Sequence, residues 1–78
     1  MKFPGLLPGT RRVLLCEPEY ALFGDGRVRS IRLVQMDRDS TEIESYRWSF
    51  TDDSYLPQIE VLAGIERLIN EQLARAGD

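Results

Sequence analysis

The chain has no histidine and a single cysteine, and these two shortages exclude more chemistry than any other feature adds. Without imidazole there is no histidine general base, no histidine-activated nucleophile and no histidine metal ligand. One thiol closes no internal disulfide, so the sequence does not read as a stapled secreted mini-protein. No apolar run approaches the roughly 20 residues that cross a bilayer. Lysine is nearly missing as well, with Lys2 standing against nine arginines. What remains is 78 residues, 42% hydrophobic and 29% charged, enough for one small domain. A chain of that size buries only about 60–65% of its unfolded surface, so its stability margin is thin.

Charge is uneven along the chain. Residues 1–35 carry six basic side chains against three acidic ones, a balance of +3, and residues 36–78 carry four against ten, a balance of −6. The net −3 and a pI near 4.9 argue against non-specific nucleic-acid binding, where phosphate neutralisation supplies most of the affinity. An acidic surface suits a basic partner, and it serves solubility equally well.

Residues 1–9 hold two prolines and two glycines, and their apolar stretch is too short for a secretory signal. They read as an extended arm in which Phe3, Leu6 and Leu7 can dock on an apolar face. The unpaired thiol makes the cytoplasm the expected compartment.

Residues 10–50 read as a three-stranded antiparallel meander. Val13, Leu14, Leu15 and Cys16 mark the first strand, Gly24-Asp25-Gly26 a tight turn, residues 27–36 the clearest strand, Asp37-Arg38-Asp39-Ser40 a reversal, and residues 41–50 the return. With Asp37 and Ser40 flanking the second turn, Ile31 faces Tyr46, Arg29 faces Trp48 and Val34 faces Ile43. One face then gathers Ile31, Leu33, Tyr46, Trp48 and Phe50. The other gathers Leu14, Cys16, Leu22, Val28, Val34, Met36 and Ile43, diluted by Ser30, Arg32, Ser45 and Arg47. Pro18, which has no N–H to give a ladder, belongs on an edge or at a bulge.

Residues 54–76 read as the single helix. Asp52, Asp53 and Ser54 offer capping oxygens, and Pro57 suits a first turn. Ile59, Leu62, Ile65, Ile69 and Leu73 recur at helical spacing, with Val61 and Leu68 widening the stripe and Gly77 as a stop. The expected fold is thus α+β, a single domain in which the helix covers the Trp48 face. The second apolar face calls for the arm, a partner or a second copy. A two-fold dimer through it is the sequence-level expectation, with Cys16 near the axis.

The inventory of catalytic parts is short. Asp37-x-Asp39 opens like a calcium loop but has Glu42 where glycine is needed and Trp48 where a bidentate glutamate is needed. Gly24-Asp25-Gly26 lacks phosphate-loop spacing, no serine sits in a nucleophile elbow, and Cys16 lies in a packed apolar run. No enzyme, cofactor or metal is expected. Arg27, Arg29 and Arg32 near Trp48 and Tyr46 form a sheet pattern able to stack single strands, against which stands the net charge. The acidic residues Asp37, Asp39, Glu42 and Glu44 at the hairpin end, with Asp52 and Asp53 at the helix start, are the candidate partner-binding set. Glu42 and Glu44 are expected on one face; the same residues also read as a hydrated tip and ordinary caps.

A short, acidic, cysteine-poor chain with a meander over residues 11–50 and a helix over residues 54–75 resembles the bacteriophage-encoded anti-CRISPR proteins. The resemblance lies in size, architecture and charge. It implies a non-catalytic inhibitor that binds the type I Cascade surveillance complex and blocks target-DNA engagement, without touching nucleic acid or membrane itself. The basic first half departs from a purely DNA-mimicking pattern. Two other functions fit the same residues: an assembly subunit of a phage-like particle, and a small nucleic-acid-binding regulator.

Overall fold

The computed structural model describes residues 5–22 and 24–76. Phe3 in the arm and Gly77 after the helix lie outside them. Strands β1 (Arg12–Tyr20), β2 (Val28–Met36) and β3 (Glu42–Ser49) form one antiparallel sheet in the order β1-β2-β3. A 3-10 turn (Asp53–Tyr55) and the helix α1 (Ile59–Ala76) complete the α+β meander.

Turn chemistry shifts both registers from the expected ones. Asp37 N–H donates to the Thr41 carbonyl, leaving a three-residue loop that Ser40 closes with a left-handed φ of 62°. One more residue bulges out at Ile43, since Met36 faces Glu42 while Gln35 faces Glu44. Together they move the pairing by two, so Ile31 faces Trp48 and Leu33 faces Tyr46. Side chains alternate with period two, so an even shift leaves residues 44–49 on their expected face. Glu42 precedes the bulge and changes sides.

The first hairpin behaves alike. Ala21 N–H donates to the Arg27 carbonyl, so the loop runs 22–26, longer than the expected turn. Gly24 and Gly26 supply its positive φ angles of 67° and 78°. Leu14 faces Val34 and Cys16 faces Arg32. Between Cys16 and Glu19 the pairing slips, with Glu17 at φ 51° and Pro18 in the bulge. Pro18 is therefore on an edge strand and at a bulge, where a missing N–H costs no ladder bond.

The helix begins at Ile59, later than the capping residues suggest. Asp52 Oδ1 accepts from Ser54 N–H at 3.0 Å and so caps the 3-10 turn instead. Pro57 lies in the crossing segment, its carbonyl accepting Val28 N–H at 2.8 Å, and Ile59 N–H reaches the Gly26 carbonyl at 3.1 Å. These bonds lock the helix start to the beginning of β2.

Val28, Ile31 and Leu62 form the buried centre, with Leu15, Trp48, Phe50, Ile59 and Ile65 packed against it. Val28 thus belongs to the core under the helix and not to the open face. Within α1 only Leu62 is fully buried; Val61 and Leu68, expected in the stripe, are half or more exposed. The reason is where the helix lies. It packs along the outer edge of β1, where Asn70 Oδ1 accepts from Val13 N–H at 2.8 Å and Asn70 Nδ2 donates to the Val13 carbonyl at 3.0 Å. One turn earlier, Glu66 Oε2 accepts from Leu15 N–H at 3.0 Å. Side-chain groups stand in for a fourth strand, and the edge is sealed.

Candidate functional site

The face of the sheet turned away from α1 carries the residues expected to self-associate, but they do not form one apolar patch. Val34 sits at its centre, only 4% exposed, beside half-buried Leu14, Cys16 and Met36, and Ile43 is more open. Leu22 is 95% exposed in the loop beyond β1 and contributes nothing to the face. Polar bonds cross all three strands here. Arg32 Nη1 donates to Glu17 Oε2 at 3.0 Å, and Arg32 Nη2 donates to Glu42 Oε1 at 3.0 Å and Ser45 Oγ at 3.1 Å. Arg47 Nη1 donates to the Glu17 carbonyl at 2.7 Å. The left-handed Glu17 presents both its carboxylate and its carbonyl to this network. The Glu17 hydrogen bond, helped by the charge of Glu42, pushes the Arg32 pKa up, so its guanidinium stays charged.

The arm docks elsewhere. Leu7 N–H and Thr10 Oγ1 both donate to Gln35 Oε1, at 2.8 and 3.1 Å, and Gln35 is fully buried. Gln35 shares its parity with Ile31 and Leu33, so residues 7–10 are tied to the helix side of the sheet.

The acidic residues are divided by the fold. Asp52 and the Asp53 backbone belong to the 3-10 turn after β3, at the end of the sheet opposite to Asp37 and Asp39. Asp37 is structural: its Oδ1 accepts from Asp39 N–H and Thr41 N–H, both at 2.9 Å, and holds the reversal. Glu42 is committed to Arg32 on the open face. Glu44 falls on the other face, where its Oε1 accepts only from the adjacent Ser45 N–H at 3.1 Å. Arg12 pairs with Met36, and Arg11 N–H donates to the Met36 carbonyl. The hairpin end is therefore two-signed, with exposed Arg11, Arg12 and Arg38 beside exposed Asp39, Glu42 and Glu44.

On the helix side, β3 presents Glu44, Tyr46 and Trp48 as the flank of the core, and the Trp48 and Phe50 rings lie 5.2 Å apart. The Tyr46 hydroxyl is buried and has no hydrogen-bond partner among the described residues. Burial also pushes its pKa above the ordinary tyrosine value. A pKa raised on folding gives stability that is complete below about pH 10 and lost as pH rises through the raised value. Tyr46→Phe should therefore stabilise by about 1 kcal/mol at neutral pH and flatten the alkaline decline. Urea midpoints at neutral and alkaline pH read this; a destabilised variant would mean that the hydroxyl is bonded.

A concavity of about 470 Å³ opens where the loop after β1 meets the crossing segment, lined by Leu22, Asp25, Arg27, Arg29, Ser54 and Leu56 among others. Its cations are already engaged. Arg27 reaches Asp25 at 3.7 Å and donates to the Leu56 carbonyl, and Arg29 is also partnered. Arg29 lies opposite Phe50, not Trp48, so the expected arginine–tryptophan pair across the strands is replaced by Ile31–Trp48. Among the described residues no three His, Cys, Asp or Glu side chains gather to hold a metal. Among them also, no helix is long and apolar enough to cross a membrane.

Sequence reasoning missed Asn70, Glu66 and Gln35. Glu66 and Asn70 stand four apart beside the apolar stripe, which signals that they face the sheet but does not name their partners. Comparison with family models, with curated proteins and with solved structures found no match.

Proposed function

We propose that this chain is a non-catalytic protein-binding inhibitor working in the cytoplasm, whose contact surface is the β2–β3 hairpin end. The observation that carries this reading is the two-signed charge at that end. A polyanion drawn to Arg11, Arg12 and Arg38 would meet Asp39, Glu42 and Glu44 beside them, whereas a protein surface of matching signs gains from both. The Asp37 bonds fix the turn, so little conformational entropy is lost on contact. The narrowest form of the proposal is an anti-CRISPR that occupies a basic channel of a type I Cascade complex. The stranding of Asp52 and Asp53 at the far end restricts that contact to the hairpin.

Asp39 and Glu44 are the clean probes, because Asp37 and Glu42 also hold the fold. The parent chain should block target-DNA binding by type I Cascade in a gel-shift titration. Asp39→Lys/Glu44→Lys should block it about tenfold less well, with the loss growing at low salt. A parent chain that leaves DNA binding unchanged overturns the Cascade form, and an undiminished double variant removes the hairpin end as the contact.

A further inference from the structure

We propose that a second copy of this chain pairs with β3, edge to edge and antiparallel, about a two-fold axis at Tyr46. This dimer does not depend on the inhibitor reading.

The two edges of the sheet are treated differently. The outer groups of β1 are taken by Asn70 and Glu66, whereas no described element pairs with the outer edge of β3. Phe50 N–H donates to the Arg29 carbonyl at 2.9 Å, which fixes the alternation. Residues 44, 46 and 48 turn their backbone groups to β2, so Ser45, Arg47 and Ser49 turn theirs outward. Among the described residues the Ser45 N–H is met only by the carboxylate of its own neighbour Glu44, a contact that a paired strand replaces.

What selects a second copy is that β3 matches itself. An antiparallel two-fold keeps like faces together, so each residue must meet one of its own parity. An axis at Arg47 would set Arg47 against itself, and one at Glu44 would oppose two carboxylates. An axis at Tyr46 opposes no like charges. It pairs Ser45 with Arg47, Glu44 with Trp48, and Tyr46 with Tyr46 in the closely spaced non-hydrogen-bonded position. It uses the regular run after the Ile43 bulge and leaves the bulged start outside. The flank formed by exposed Glu44 and half-buried Tyr46 and Trp48 then continues into the partner's, on the sheet edge away from α1. The three strands of each copy become one six-stranded sheet. The open face is the poorer interface, because the bonds of Arg32 and Arg47 cross it.

Light scattering at micromolar concentrations should show twice the 9.0 kDa chain mass. Arg47→Pro removes an outward N–H that the chain's own ladder does not use, and should give a monomer with the parent's circular dichroism. Tyr46→Cys in a Cys16→Ser background should crosslink in oxidising buffer, since the paired positions fall within disulfide reach. The crosslink decides the matter if Arg47→Pro fails to fold. A monomeric parent, or a dimer that survives Arg47→Pro and does not crosslink through Tyr46→Cys, overturns the proposal; loss of the latter dimer in Val34→Asp would place it on the open face.

Discussion

Leu62→Ala is expected to cost about 3–4 kcal/mol, the larger part of what a domain of this size has. Leu62 is 1% exposed and clusters with Val28 and Ile31, so the truncation opens a void that no neighbour can fill cheaply. It is also the only fully buried side chain of α1, which makes it the pivot between helix and sheet. Trp48→Ala removes more atoms but should cost less, about 2–3 kcal/mol, because Trp48 is only half-buried and water can refill its outer side. The order of the two, read from urea midpoints, is the test. If Trp48→Ala is the more damaging, the core is centred on β3 and the helix contact is secondary.

Much of this arrangement is legible before any coordinates. Val, Ile, Tyr, Phe and Trp clustered between turn signals announce the meander, and the stripe from Ile59 to Leu73 announces the helix. Face assignment largely survives two wrong registers because both errors are even, and an even slip returns each side chain to its own side. Ser40 and Ile43 are the illegible positions. A serine in a left-handed turn carries no glycine signature, and a bulge at a β-branched residue carries none either. That single bulge separates Glu42 from Glu44 and dissolves the acidic face expected of them. The helix position is equally hidden: periodicity reports which side of a helix is apolar, not whether it lies across a sheet or along its rim. Asn70 and Glu66 hold that information, and they read as ordinary polar residues until their partners are known.

Asn70 therefore carries the second large expected effect. Its amide meets both the N–H and the carbonyl of Val13, as a peptide group in a neighbouring strand would, and Val13 has no exposure to water. Asn70→Leu keeps the branching at Cγ and adds apolar surface, so a simple burial argument predicts a gain. The hydrogen-bond argument predicts the reverse. Two bonds are lost at about 0.5–1.5 kcal/mol each, and two buried backbone groups are left unsatisfied, which raises the sum to about 3 kcal/mol. Asn70→Asp separates the two halves of the contact: it keeps an acceptor for the Val13 N–H but sets a carboxylate oxygen against the Val13 carbonyl, and should fall between the parent and Asn70→Leu. Amide hydrogen exchange gives the local readout. The Val13 amide should lose protection in Asn70→Leu, while Leu15, held by Glu66, is affected less. If Glu66→Leu is added, the whole β1 edge is stripped of its side-chain partners, and the protein should aggregate with rising concentration, as an uncovered edge strand does. A fully protected Val13 amide in Asn70→Leu, with stability unchanged, would mean that the Asn70 amide is not what seals this edge of β1.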